Sequence, residues 1–546
     1  MICPTCRFPE ATVGQPCPSC GAVPALPGDA PGVAAPSASL ASQTPSGAPV
    51  NEPTAILTGE PTLAFPTAVA PPVPAPAPQK RRGLVIALVG VLVVLLIGGG
   101  VAFAGWQLGW FGGGGKKPFE ALPKDAVAYG QIDLNPSAEQ KAAAIAFFRE
   151  LPQLKDATNP NFDYREVIWN EWAKSNDTHG LSYATDIKPW LGQRIGMATL
   201  VPAASGSEPI VAVAVEVTDA AAANQKLPQL LGSDASIVTT LNGYVVITKP
   251  GDVDAVKAAL AVGTLAQNPT FTGDLGRLGA TGFAMGWADL KGLSSIQDSQ
   301  LGEGRTAFAL RFANNTLEWG GNVFGMKAGD MPTATGGTDL ADLPADTAAA
   351  VSIQGGGPWV AANWERIKSS VPTDSLTSMG WTLPDDLVAV LGSQATLCAG
   401  PDFVQAATDL FQGTGQQLPS LGLRLTTDQA DRVTQLVGMS DPTGTLKVRS
   451  DAGKVTVSTT DDYAAQLTDP SAPKLSGVAK FTAVVPEASK STYAAYVDFA
   501  PFASLVDQLP SEYADQAPFL KALTSAGVSV VPSGDGATWS LRVARS

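Results

Sequence analysis

Leu84–Ala104 is a run of 21 residues without a charged side chain, LVIALVGVLVVLLIGGGVAFA. At about 1.5 Å per helical residue it matches the roughly 30 Å hydrocarbon core of a bilayer. A spanning helix there divides the chain into two portions that fold on opposite sides of a membrane. Trp106, Trp110 and Phe111 follow it as an interfacial aromatic belt. Lys80, Arg81 and Arg82 abut its N-terminal end, whereas Lys116 and Lys117 stand further off on the other side. Positive charge concentrates on the cytoplasmic side of such helices, which predicts a cytoplasmic N-terminus and an extracytoplasmic C-terminal portion. About eighty residues precede the run, so it does not read as a cleaved signal peptide. Gly98/Ala102 and Gly100/Ala104 give the small-xxx-small spacing that lets two such helices pack closely.

The cysteines agree with this topology. Cys3, Cys6, Cys17 and Cys20 form C-x2-C-x10-C-x2-C, and the fifth cysteine, Cys398, stands alone. Each CxxC turn presents two thiolates to one side of a metal, and two such knuckles complete a tetrahedral S4 site for Zn2+. The pattern, with Gly21 after the last cysteine, resembles the bacterial zinc-ribbon family over residues 1–23. No further polar group is placed to activate water, so the expected zinc is structural. The alternative, two redox CxxC pairs, requires a βαβ setting that the sequence lacks. A reducing cytosol suits thiolate ligands. The single remaining cysteine leaves the exported portion without an internal disulfide, so its stability has to come from its core.

Residues 24–83 are rich in Pro, Ala, Ser and Thr and carry no apolar periodicity, which predicts an extended linker. Within it, Glu52-Pro-Thr54 and Glu60-Pro-Thr62 repeat a Glu-Pro-Thr-x-x-apolar motif. Phosphorylated, these threonines would offer docking sites to a cytosolic phosphopeptide reader. Residues 1–83 contain four acids and four bases, so the whole net charge of −14 lies beyond the apolar run. That surface repels phosphate backbones and argues against nucleic-acid binding by the C-terminal portion.

After a Gly-rich tether (105–117), landmarks recur in one order through 118–324 and 342–546, on either side of a linker at 325–341. Leu122-Pro-Lys-Asp125 before an apolar strand parallels Leu343-Pro-Ala-Asp346. Asp186–Gly192 before Arg194–Leu200 parallels Asp386–Gly392 before Gln394–Cys398. Ile210–Val217 before a helix from Asp219 parallels Leu421–Leu425 before one from Thr427. Tyr244–Thr248 before Asp252 parallels Val455–Ser458 before Asp461. Ala284–Asp289 parallels Ala494–Asp498, and the terminal hairpins correspond. Alternating β-branched strands followed by Asp or Thr helix caps predict an α+β fold of two tandem units. Each unit should hold seven or so strands of a mainly antiparallel sheet and three or so helices.

These landmarks are similar to those of the domain of unknown function 3352 family of bacterial membrane proteins. The residues carrying the resemblance are Leu122-Pro-x-Asp125, Ile132-Asp133-Leu134 and Trp190-Leu-Gly192, and it extends over most of 118–546. It implies an exported domain behind a membrane anchor and implies no activity.

Catalytic patterns are sparse. His179, in Ser175-Asn-Asp-Thr-His179-Gly, is the sole histidine, which removes histidine triads and histidine-rich metal sites. Ser471-Ala-Pro-Lys474 has S-x-x-K spacing, but Pro473 spoils the helical turn. Asp385-Asp386 and Asp461-Asp462 each open a predicted helix, where capping and the helix dipole explain them. Gly276-x-x-Gly279-x-x-Gly282 lacks the features of a dinucleotide or phosphate loop and reads as a flexible loop. Cys398 reads as a small buried hydrophobe. Trp169, Trp172 and Trp190 gather in one region, either as core or as the wall of a groove.

The expectation is a non-enzymatic, single-pass cell-envelope protein. The bilayer is its partner through Leu84–Ala104, and a cytosolic protein is its partner through the ribbon or Thr54/Thr62. Its exported portion would take a ligand or protein in a cleft between the two units. The alternatives are a hydrolase without histidine and a carrier of an apolar lipid.

Overall fold

The computed structural model describes residues 115–546, apart from 152–162, 205–206, 297–302, 314, 328, 333–335, 412–416 and 507–515. The four ribbon cysteines, Thr54, Thr62 and Leu84–Ala104 lie outside the described residues. Among the described residues no helix is long and apolar enough to cross a membrane.

The fold is α+β, built on one antiparallel sheet of sixteen strands. The first eight are β1 (Ala128–Asp133), β2 (Leu191–Leu200), β3 (Ile210–Val217), β4 (Ser236–Leu241), β5 (Tyr244–Thr248), β6 (Ala284–Asp289), β7 (Arg305–Ala313) and β8 (Thr316–Phe324). The rest are β9 (Ala349–Gln354), β10 (Gln394–Ala399), β11 (Leu421–Thr426), β12 (Lys447–Asp451), β13 (Lys454–Ser458), β14 (Tyr493–Asp498), β15 (Leu523–Ser533) and β16 (Gly536–Arg545). Their spatial order is β12-β13-β11-β10-β9-β14-β15-β16-β8-β7-β6-β1-β2-β3-β5-β4. Adding eight to each strand number of one half gives the order of the other, read inward from the opposite edge. The halves meet where β8 pairs with β16, with Trp319 opposite Leu541 and Gly320 opposite Ser540.

Local sequence explains most elements. Ile210–Val217 and Tyr244–Thr248 are rich in β-branched residues, and both form strands with those bounds. Each half holds eight strands rather than the seven or so expected. β4 and β12 are the strands the landmarks omitted, and both lie at edges of the sheet. Caps follow strands as expected at Asp219, whose carboxylate accepts from the N–H groups of Ala221 and Ala222, and at Asp289. Elsewhere the expectation is corrected. Asp252 makes no side-chain cap, the helix after β11 begins at Ala430 rather than Thr427, and Thr460 rather than Asp461 caps the helix Asp461–Thr468.

Paired residues directly opposite one another point to the same side of a sheet. Following the register from β12 to β4 therefore traces one row on one face. It runs Val448, Val457, Leu423, Leu397, Val351, Ala495 and Val528 to Leu541 in the second half. It continues through Trp319, Leu310, Ala284, Ile132, Ile195, Val215 and Val245 to Thr240. All but the last are apolar, so a hydrophobic band crosses the whole sheet. The opposite face carries its own cores. Tyr129, Phe271 and Trp287 pack edge to face in the first half, and Phe481 and Tyr496 do so in the second.

Helix α1 (Ala138–Phe148) lies over the seam between the halves. Its Phe147 and Phe148 meet Phe312 on β7 and Phe519 from the second half, with centroids 5.1–6.1 Å apart. Arg545 on β16 donates to the Phe147 carbonyl and to Glu150 Oε1 at 2.7 Å. The Arg545 hydrogen bond holds the Glu150 carboxyl down to about 2, against an ordinary value of 4.5. A carboxylate with a depressed folded pKa stabilises the fold above its unfolded pKa, and that contribution is lost as pH falls through the folded value. Glu150→Gln is thus expected to flatten the loss of stability on acidification from pH 4.5 toward pH 2, measured by urea unfolding across that range. An unchanged acid limb contradicts it.

Candidate functional site

The first half contains a cavity of about 720 Å³ on the banded face of the sheet. Its floor comes from β5, β3, β2, β1, β6, β7, β8 and β16, eight strands adjacent in space. Met197 and Ile195 on β2, Ile132 on β1 and Phe308 and Leu310 on β7 are apolar floor residues. In the middle, Gly130 on β1 lies directly opposite Gly286 on β6, and the Phe308 ring from β7 lies over Gly286. Two helices form the roof at one end. These are α2 (Tyr164–Ala173), capped by the Asp163 carboxylate, and α3 (Ala220–Leu231). They contribute Ile168, Trp169, Trp172, Leu227, Leu230 and Leu231.

The three tryptophans singled out in the sequence converge here. Trp169, Trp172 and Trp190 all line the cavity, and the first two rings lie 5.1 Å apart. They serve both as core and as wall: Trp190 and Trp172 are almost wholly buried yet border empty space. The Trp172 indole N–H is buried without a hydrogen-bond partner, an uncommon state for a buried donor. Arg165 is the single charged residue among those lining the cavity. Its Nε and Nη2 donate to Asp163 at 2.9 and 2.7 Å, and its Nη1 donates to the Leu191 carbonyl. Burial opposes ionisation of Asp163, but Arg165, Tyr183 and Lys188 together outweigh it and the carboxyl titrates below its usual range.

At the other end the cavity is open. Trp319 and Leu541 line it and remain 40% and 36% exposed. The Trp319 ring packs edge to face on Phe308 and on Trp539 of β16. The cavity thus lies mainly in the first half and reaches the second through Leu541 and Val543 of β16.

The remaining sequence candidates do not assemble. His179 sits in an exposed turn at φ 50°, 3.6 Å from Asp177. Ser471 donates to Asp469 Oδ1, and Lys474 to the Asp469 carbonyl. Asp386 is buried against Arg432, with Nε 2.6 Å away, and its partner Asp385 also lies in the first turn of that helix. Gly276 lies inside the helix Pro269–Leu278 rather than in a loop. Cys398 is buried as expected, and burial pushes its thiol up to about 11. Among the described residues no group of three or more His, Cys, Asp or Glu side chains could hold a metal.

The register around the cavity brings in the family landmarks. Ile132 is in its floor, Trp190-Leu191 in its wall, and Asp133 anchors β1 beneath it. Residues 85–269 match a family described as a protein of unknown function (DUF3352). The DUF3352 match contains every residue that carried the resemblance, but it stops before β6 instead of extending over most of 118–546. It holds β1 to β5 and both roof helices, and leaves the open end outside. No curated protein and no solved structure matches the chain.

Proposed function

We propose that this is a non-enzymatic envelope protein that binds an apolar ligand, in the class of a lipid or other long hydrocarbon. The observation that carries the reading is the 720 Å³ cavity whose lining holds one charged residue. Its volume falls among those of ligand pockets, about 300–1,000 Å³. A site so poor in polar groups selects for hydrocarbon, and each methylene moved from water into it contributes about 0.8 kcal/mol. The unpaired Trp172 N–H offers one donor to a ligand's polar group.

Membrane anchoring through Leu84–Ala104 supplies the source of such a ligand. In support, the DUF3352 match begins at residue 85, so the apolar run travels with the domain. Residues 105–114 reach at most about 36 Å when extended, which holds the described portion close to the bilayer. Lys116 donates to Asn242 at the β4–β5 turn (2.6 Å), and Gly243 of that turn accepts from Val217. Val217 pairs with Leu191, whose carbonyl binds Arg165. The tether and the Arg165 end of the cavity therefore share one end of the strands.

On this reading the described portion is extracytoplasmic and descends from a tandem duplication, which the matching strand orders of the two halves support. Cys3, Cys6, Cys17 and Cys20 hold a structural zinc in the cytosol. The ribbon, or Thr54 and Thr62, engages a cytosolic protein.

Native mass spectrometry of the full chain released from lipid nanodiscs tests the ligand reading. The expected result is a retained adduct of lipid mass that is lost when Met197→Trp fills the cavity. A bare protein mass, or an adduct indifferent to that substitution, removes it.

A further inference from the structure

The shape of the cavity constrains the ligand more tightly than its polarity does. We propose that it takes a single extended hydrocarbon of about 24 Å, laid across the strands. This rests on the ligand reading above and names its class.

Arg165, the one charged lining residue, is held to the Leu191 carbonyl at the start of β2 and is where a polar end would sit. Leu541 on β16 marks the open end. Between β2 and β16 lie β1, β6, β7 and β8. Five strand spacings of about 4.8 Å give a path of roughly 24 Å. A chain of about 15 Å with its polar end at Arg165 stops at β6 or β7. It leaves Phe308, Trp319 and Leu541 facing water. The lining is apolar along the whole path, and Trp319 and Leu541 are exposed where it ends. Large apolar side chains exposed at a cavity mouth are the surface that a longer chain covers.

The middle of the path is left free over Gly130 and narrowed by the Phe308 ring over Gly286. Gly130 and Gly286 face each other at β1 and β6. A Cβ at Gly130 would meet only Met197 Cγ, at 3.6 Å, an ordinary contact. A larger side chain at 130 is therefore sterically admitted by its surroundings and rises into the path. At Gly286, by contrast, a Cβ would strike the Phe308 ring at 2.4 Å. Gly130 is thus the position where the path can be plugged without rebuilding the sheet.

The test uses the full chain in membranes and two carboxylic acids carrying a diazirine at the chain tip. One has a chain of about 10 Å, two strand spacings, and the other about 24 Å. After illumination, labelled peptides are located by mass spectrometry. The long probe is expected to label β8 and β16 around Trp319 and Leu541, and the short one β1 and β6 around Ile132 and Ala284. Gly130→Phe should reduce long-probe labelling at Trp319 and Leu541 at least about tenfold, the ratio given by 1.4 kcal/mol of exclusion. Gly130→Ala should leave it intact, which separates plugging from unfolding. Identical labelling by the two probes, or long-probe labelling at β8 and β16 that survives Gly130→Phe, overturns the length inference while the ligand reading stands. Labelling of the cavity by neither probe overturns both.

Discussion

Asp133→Ala is expected to destabilise the described fold by about 3–5 kcal/mol, the cost of breaking a buried ion pair from one side. Asp133 and Arg194 are both nearly inaccessible, and Arg194 Nε donates to Asp133 Oδ2 at 2.9 Å. The same oxygen accepts from Lys117 Nζ at 3.0 Å, and Oδ1 accepts from the Asn135 N–H at 2.9 Å. Arg194 also reaches Glu216, 3.1 Å away and less deeply buried. Removing the Asp133 carboxylate leaves the guanidinium desolvated with its closest counter-charge gone. Urea unfolding of the full chain at neutral pH measures the effect. Asp133→Asn, which keeps the shape and an acceptor, should cost less. A loss below about 1 kcal/mol, the range of surface pairs, contradicts the argument. The cluster ties β1 and β2 to Lys117, the residue just before the first helical turn, so the same variant loosens the tether's attachment to the sheet.

Phe147→Ala should cost a similar amount, about 3–5 kcal/mol, through a cavity at the seam. The ring is 1% exposed and touches Phe148, Phe312 and Phe519. Phe312 belongs to the first half and Phe519 to the second, so this ring joins them across the β8–β16 ladder. A change confined to one half would lower the stability of that half. Here the expected signature is a loss of cooperativity, with fluorescence of Trp190 and of Trp359 no longer reporting one transition. Coincident transitions with an unchanged midpoint rule out the proposed role.

How far the sequence carried this reading differed between elements for physical reasons. β3 and β5 were legible because each is rich in β-branched residues and is buried on both faces at its centre. β12, KVRSD, was not: an edge strand carries charge to discourage pairing, and that charge erases the strand signal. Asp252 resembles a cap, but Pro250 starts a tight turn that takes the chain into the helix without one. The cavity was half legible. Trp169, Trp172 and Trp190 lie close in sequence and stood out, yet its floor joins Gly130 to Met197, Gly286 and Phe308 through pairings between distant segments. Nothing in a glycine at position 130 announces that it faces another glycine across a ladder. The open end depends on the seam, which joins residues more than two hundred positions apart.

That seam also governs how the protein must be made. Once β8 has emerged from the ribosome, its free edge waits for β16, and Phe324 and Gly536 are about 210 residues apart in the chain. At about 5–20 residues per second the wait is roughly 10–40 s. Throughout it, the Thr316–Phe324 strand offers unpaired amides beside Leu317 and Trp319, a template on which another nascent copy could add. Gly320 and Gly321 weaken the strand at its centre and blunt that template. On the extracytoplasmic reading that edge waits at the outer surface of the membrane, where neighbouring chains still being exported are the copies it would meet.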